Sequence, residues 1–301
     1  MRRFQQLFAI AILLAAGVAF AAESPRQDEE LLLETYHRNQ AGLAHNSFGL
    51  PLALESVAQK DRVYVDVYGI FAFDFDTIAE ALQVQANWCD ILSLTPNVKA
   101  CICQGKPEAW RLALYLGRKF YQAPQEVYQA VYHGKVVRRQ GYLDIVLRAG
   151  AGPFGTKDHR ISLAALPLDG GRTFVHVRCA YRSSAVLRLA EKLYFTTLGS
   201  GKAGFTVIGT DRGGNPIHIG GPRGAIERNA VRTYLAIQAF MSTLHHPAAE
   251  RFSMRSRTWY DLTDRYRLQL FELDKGDYLL IKSKERENQK KLQREIDAAP
   301  P

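Results

Sequence analysis

The chain has 301 residues, 47% of them apolar and 23% charged, so one large domain, or one domain with helical additions, can bury an ample core. With 39 Lys and Arg against 30 Asp and Glu it is basic, at +9. In an exported chain that favours anionic partners such as phospholipid head groups or envelope polymers over nucleic acid, with a plain solubility surplus as the alternative.

The N-terminal stretch MRRFQQLFAIAILLAAGVAFAA has the three parts of a secretory signal: Arg2 and Arg3, an apolar run from Leu7 to Val18, and small residues at Ala19 and Ala21. The run is shorter than the roughly 20 apolar residues of a membrane anchor. Cleavage is expected after Ala21, no Cys follows to mark a lipoprotein, and the product is expected to be periplasmic or secreted. Beyond it, Pro25 precedes Asp28, Glu29 and Glu30, and Leu31, Leu32, Thr35 and Tyr36 predict a short helix with acids in its first turn. A strand at Leu52 to Glu55 and a turn around Lys60 and Asp61 lead into the alternating run Val63 to Tyr68, which reads as a hairpin. Asp74 caps a helix carrying Phe75, Ile78, Ala79 and Leu82; Asn87 opens a second through Trp88, Ile91 and Leu92, and Pro96 stops it.

From Cys103 to Tyr181 the period stays near two. Trp110, Leu112, Leu114, Leu116 and Phe120 share one face, with Arg118 falling among them; similar runs follow at Val127 to Val137, Tyr142 to Arg148, Thr156 to Leu166 and Thr173 to Tyr181. The connections at Gly150 to Gly155 and Asp169 to Gly171 are turn sequences, so these strands make a curved antiparallel sheet. Helical character returns at Ala185 to Leu198, and two short strands flank the turn Gly213 to Asn215. The strongest helix is Gly224 to Leu244, its stripe Ala230, Tyr234, Ile237, Met241 and Leu244 headed by Glu227. The last segment, Arg251 to Ile296, is largely helical, and its charged end, KSKERENQKKLQREID, is expected to fray into solvent. The chain thus divides into a signal peptide (1–21), an N-terminal helix and leading strand (22–61), a central domain (62–246) and a C-terminal helical extension (247–301).

Four cysteines remain after cleavage: Cys89, Cys101, Cys103 and Cys179. Cys101 and Cys103 diverge along one strand and are poor partners for each other. Cys89 is left to bond Cys101 or Cys103, with Cys101 preferred; absent a nearby His or a paired CxxC, a metal site is the weaker reading. GGNPIHIGGPRG lacks the spacing of a phosphate loop, and no GxSxG is present. His245 and His246 end a helix, where cations are favoured. The Tyr and Arg interleaving of VYQAVYHGKVVRR is no nucleic-acid signal in an exported chain.

A strand, two short helices, a run of antiparallel strands and a long helix is the order of the helix-grip fold, and Arg62 to Tyr181 with the helix Gly224 to Leu244 resembles the START and pollen-allergen-like (SRPBCC-type) superfamily. NWCDILSLTPNVKAC, LGRKF, GPFGTKDHRISLAALPLDGGRTFVHV and GGPRGAIERNAVRTYLAIQAF are more closely similar to a family of exported proteobacterial proteins of unassigned function. The resemblance implies an α+β fold with a pocket between sheet and long helix, open to a hydrophobic small molecule or a lipid, and supplies no catalytic motif, cofactor or metal. The helix and hairpin at Ala185 to Ile219 depart from the usual grip.

Within such a pocket Arg118, in line with Leu114 and Leu116, and His159, in line with Ile161 and Leu163, are candidates to orient a ligand. Glu227 faces them if its helix is the lid and would hold Arg118 in the empty state; Tyr234 lies on the same stripe. Trp88 would close the mouth. The plainer alternatives are an Arg118 in water or bridged structurally to Glu227, and a Trp88 that packs in the core. Two further readings are an envelope scaffold using the basic helix from Lys282 to Arg294, and acid or base chemistry if His159, Arg118 and Glu227 converge.

Overall fold

The computed structural model describes residues 25–59, 61–106, 109–183 and 202–298. The signal stretch and the helix expected at Ala185 to Leu198 lie outside them. Helix α1 (Pro25–Ala44) leads into the hairpin β1 (Leu52–Gln59) and β2 (Arg62–Phe71), followed by α2 (Phe75–Leu82) and α3 (Gln85–Leu92). Six strands come next: β3 (Val98–Gln104), β4 (Trp110–Leu116), β5 (Tyr128–Arg139), β6 (Tyr142–Ala151), β7 (Lys157–Leu168) and β8 (Arg172–Arg182). A small hairpin, β9 (Val207–Thr210) and β10 (Pro216–His218), precedes the long helix α4 (Gly221–Ser242). Helices α5 (Arg251–Asp264), α6 (Arg267–Leu270) and α7 (Lys275–Asp297) follow.

All eight main strands join one antiparallel sheet in the order β1-β2-β8-β7-β6-β5-β4-β3. Alternation sends Val63, Val65, Val67, Leu143, Ile145, Leu147, Leu163, Val175 and Val177 to the inner face, where α2, α3 and α4 cover them. Tyr234 of α4 lies so close to β2 that a Cβ on Gly69 would sit 2.1 Å from its hydroxyl, so only glycine lets the helix seat there. The outer face is divided. Leu32, Tyr36 and Leu43 of α1 pack on Tyr68, Tyr142, Leu166 and Phe174 over one half; at the β3–β4 end the outward partners Ile102 and Ala113 are buried as well.

Asp74 caps α2 as expected, accepting a bond from the Thr77 amide at 2.8 Å. The preferred disulfide, Cys89 to Cys101, is present and closes a 12-residue separation, while Cys103 and Cys179 are free thiols. Asp90 of α3 also receives Arg255 of α5 at 2.5 Å and Arg286 of α7 at 2.7 Å, which ties this helix to the C-terminal layer.

The charged end does not fray. It forms the 23-residue α7, laid along the edge strand β3. Gln289 Oε1 accepts the Cys101 amide at 3.0 Å; Gln293 accepts the Cys103 amide and donates to its carbonyl, both at 3.0 Å. Lys282 donates to the Val98 carbonyl at 2.8 Å and pairs with Glu285, which also receives Lys99 at 2.9 Å. All three ionic side chains are buried, so the basic helix read from Lys282 to Arg294 has one face committed to the sheet.

Candidate functional site

The inner face is sealed along most of its length and opens at one end. Val65, Leu163 and Val177 have no exposed surface, yet Ile161, Cys179, Tyr181 and His159, further along β7 and β8 on the same face, are all partly exposed. His159 bonds Thr156 Oγ1 through Nε2 at 2.7 Å and stacks on Tyr181 with ring centroids 5.6 Å apart. Burial holds its pKa below the usual imidazole value, so the ring is neutral at pH 7. The Cys179 thiol is pushed up to about 12, by burial first and then by Asp66, which makes it inert as a nucleophile.

At this end a recess of about 660 Å³ wraps the strand termini. Its inner contributors are Val63, Ala149, His159 and Tyr181. Its outer rim is cationic, with Arg62, Arg148, Arg160, Arg178 and Arg182 beside Tyr64. Arg178 makes a two-pronged bond to Asp66 at 2.6 and 2.8 Å, and Asp66 also meets His176 Nε2 at 2.6 Å. Burial alone would raise the Asp66 carboxyl; bonds from His176 and Arg178 bring it below the usual range. Arg182 binds Asp61 at 2.6 Å and Asp158 at 3.2 Å.

The remaining three rim arginines are different. Arg62, Arg148 and Arg160 have no ion pair among the described residues. Arg148 and Arg160 are direct register partners across β6 and β7, a like-charge pairing that disfavours the sheet. Arg160 Nε is buried with no hydrogen-bond partner. Its pKa is lowered by burial first and then by Arg148. The sequence reading did not single these out, although each stands at the outward position of a strand whose inward positions are apolar.

The expected residues do not share this site. Only His159 lines the recess. Arg118 sits in the loop after β4, exposed, its backbone amide bonded to Gln122 at 2.6 Å. Glu227 is fully buried at the first turns of α4. It accepts the Phe205 amide at 2.6 Å, the Thr206 amide at 3.0 Å and the hydroxyls of Thr206 and Ser56, with Arg223 4.0 Å away. Its partners are thus Ser56 and the segment entering the β9–β10 hairpin, not Arg118. Trp88 is wholly in the core, its Nε1 donating to the Leu82 carbonyl at 2.8 Å. Tyr234 packs against Phe71, rings 5.0 Å apart. The convergence of His159, Arg118 and Glu227 that acid or base chemistry would need is not assembled.

The connection β2-α2-α3-β3, with β8 returning beside β2 and α4 lying across the inner face, decides the architecture. The fold is a helix grip, a curved antiparallel sheet closed by a long helix. Solved structures similar to the helix-grip chain include a conserved protein from Geobacillus kaustophilus, at TM-score 0.36 and 9% identity over 60% of this chain and 96% of that one. Others are a STAR-related lipid transfer protein from Xanthomonas axonopodis (0.35, 11%, 52% and 92%) and norcoclaurine synthase from Thalictrum flavum (0.33, 12%, 48% and 92%). No protein-family model matches the sequence, and no curated protein does.

Proposed function

We propose that the protein is an exported binding or carrier protein that takes a hydrophobic or amphipathic molecule, such as a lipid, into the open end of the grip. The observation that carries this reading is the change along β7 and β8, from sealed Leu163 and Val177 to partly exposed Ile161, Cys179 and Tyr181, where the inner face meets the recess. Binding pockets combine an apolar wall with a few polar groups that orient the ligand, and here the polar groups are neutral His159 and the arginine rim. Guanidinium groups suit a carboxylate or phosphate head. The disulfide supports an oxidising compartment, in agreement with the signal-like N-terminus. The scaffold reading has less support, because Lys282, Glu285, Gln289 and Gln293 of the basic helix are engaged by β3.

Native mass spectrometry and organic extraction of protein purified from its own source test the proposal. A reproducible bound amphipath is expected, and Ile161→Trp, which fills the opening, is expected to lower its occupancy. Protein that is repeatedly empty and takes up no apolar probe would overturn the reading.

A further inference from the structure

The open end of the sheet also carries an aromatic side chain that the fold does not use. The β6–β7 hairpin turns through Pro153, Phe154 and Gly155, and Phe154 is 86% exposed. Its backbone is left-handed, with φ of 59°, a conformation that costs an L-residue with a bulky side chain and that glycine adopts freely. A buried contact would explain tolerance of that cost, and Phe154 makes none. The two strands leaving this tip carry Arg148 and Arg160, the unpaired register partners, and Lys157 lies opposite Arg182, itself opposite Arg62, in the row nearer the tip.

An exposed aromatic above a cluster of unneutralised arginines is the composition of a surface that meets the lipid–water interface. The ring partitions among head groups and acyl chains, and guanidinium groups bind phosphates. The like-charge pair Arg148 and Arg160 is unfavourable in the isolated sheet and becomes favourable once an anion lies between the two. No helix among the described residues is long and apolar enough to cross a membrane.

We propose that this end of the protein docks on an anionic phospholipid bilayer, with Phe154 entering the interface and Arg62, Arg148 and Arg160 binding lipid phosphates. The contact brings the mouth of the grip to the bilayer while leaving α7 facing β3. It differs from an anionic surface met by the basic C-terminal helix. It does not depend on the interior holding a ligand, and each proposal can fail alone: docking is read on vesicles, ligand content on the native mass.

The test is co-sedimentation with vesicles of phosphatidylglycerol and phosphatidylcholine, against vesicles of phosphatidylcholine alone. The chain from residue 22 onward is used so that the apolar N-terminal stretch does not itself bind lipid. Binding to the anionic vesicles only, weakening as salt is raised, is expected. The double variant Arg148→Gln/Arg160→Gln should weaken binding by about fivefold for each arginine. Phe154→Gly should reduce binding while leaving the melting temperature the same or higher, because glycine relieves the left-handed backbone; this variant separates docking from folding. Lys290→Gln/Lys291→Gln, on the exposed side of α7, should bind as the parent does. Equal binding to neutral vesicles, no vesicle binding, binding of a soluble polyanion without vesicles, unaffected Arg and Phe variants, or an equal loss in the α7 variant would each overturn the proposal.

Discussion

Glu285→Gln is expected to release the C-terminal helix, and to do so by an amount that depends on pH. Glu285 is the one carboxylate shared by Lys99 and Lys282, all three buried between α7 and β3. With a neutral amide in its place the two ammonium groups lose their counter-charge, and the carbonyls of Pro96 and Val98 remain as their other acceptors. Breaking a buried ion pair by removing one partner costs roughly 3–5 kcal/mol. Lys282 is held at about 8, against an ordinary 10.5, by burial, with Glu285 sustaining its charge and Lys99 opposing it. That fall corresponds to roughly 3 kcal/mol. Between pH 8 and 10.5 the unfolded chain therefore binds more protons at Lys282 than the folded one, so this group raises stability as pH rises. In the variant Lys282 loses its proton at lower pH still. Above pH 8 both proteins hold it neutral, and its share of the deficit disappears. Urea unfolding followed by far-ultraviolet circular dichroism should show the largest deficit at pH 7 and a smaller one at pH 9, and Lys282→Met should remove this group's upward slope. A Glu285→Gln protein as stable as the parent at pH 7, or a deficit that does not shrink with pH, would refute the reasoning.

Two further outcomes can be checked in the same assay. Cys89→Ala/Cys101→Ala should lose about 3 kcal/mol, the loop-closure value for a 12-residue separation, and no loss would mean that core packing and the Asp90 ion pairs hold α3 without the bond. Glu227→Leu leaves the amides of Phe205 and Thr206 without their acceptor and should cost about 2–5 kcal/mol, while Arg118→Ala should stay within about 0.5 kcal/mol; matched effects would indicate a coupling that the geometry does not contain.

Much of the fold was legible because its signals are local. Alternation in Val63 to Tyr68 and Leu143 to Leu147 marked strands with one buried face, and the cap at Asp74 placed the first short helix; the second starts at Gln85, two residues before the expected Asn87, and ends at Leu92, before Pro96. The cysteines narrowed the bond to Cys89 with Cys101 or Cys103, which share a face of one strand, and the structure makes it with Cys101. The site was less legible, for two physical reasons. Arg118 was placed by extending the period of two past Leu116, but the strand ends there and the chain leaves the sheet, so the side chain enters water. The end of the chain was read as solvated because its stripe is polar. An edge strand, however, presents unpaired amides and carbonyls, so a helix that covers it needs long polar side chains at helical spacing. Lys282, Glu285, Gln289 and Gln293 supply that face, and the ordinary rule for amphipathic helices misses it.

The bond from Gln289 to the Cys101 amide spans 188 residues of chain. During synthesis β3 therefore emerges long before the helix that covers it, and its bare backbone could recruit a strand from another nascent molecule. The Cys89–Cys101 bond needs only 12 residues and can form early, holding β3 against α3 while the rest of the chain arrives. Early closure of this bond and the later arrival of α7 would then act as successive guards against aggregation. A chain truncated before Lys275 should be lost to insoluble material rather than merely weakened.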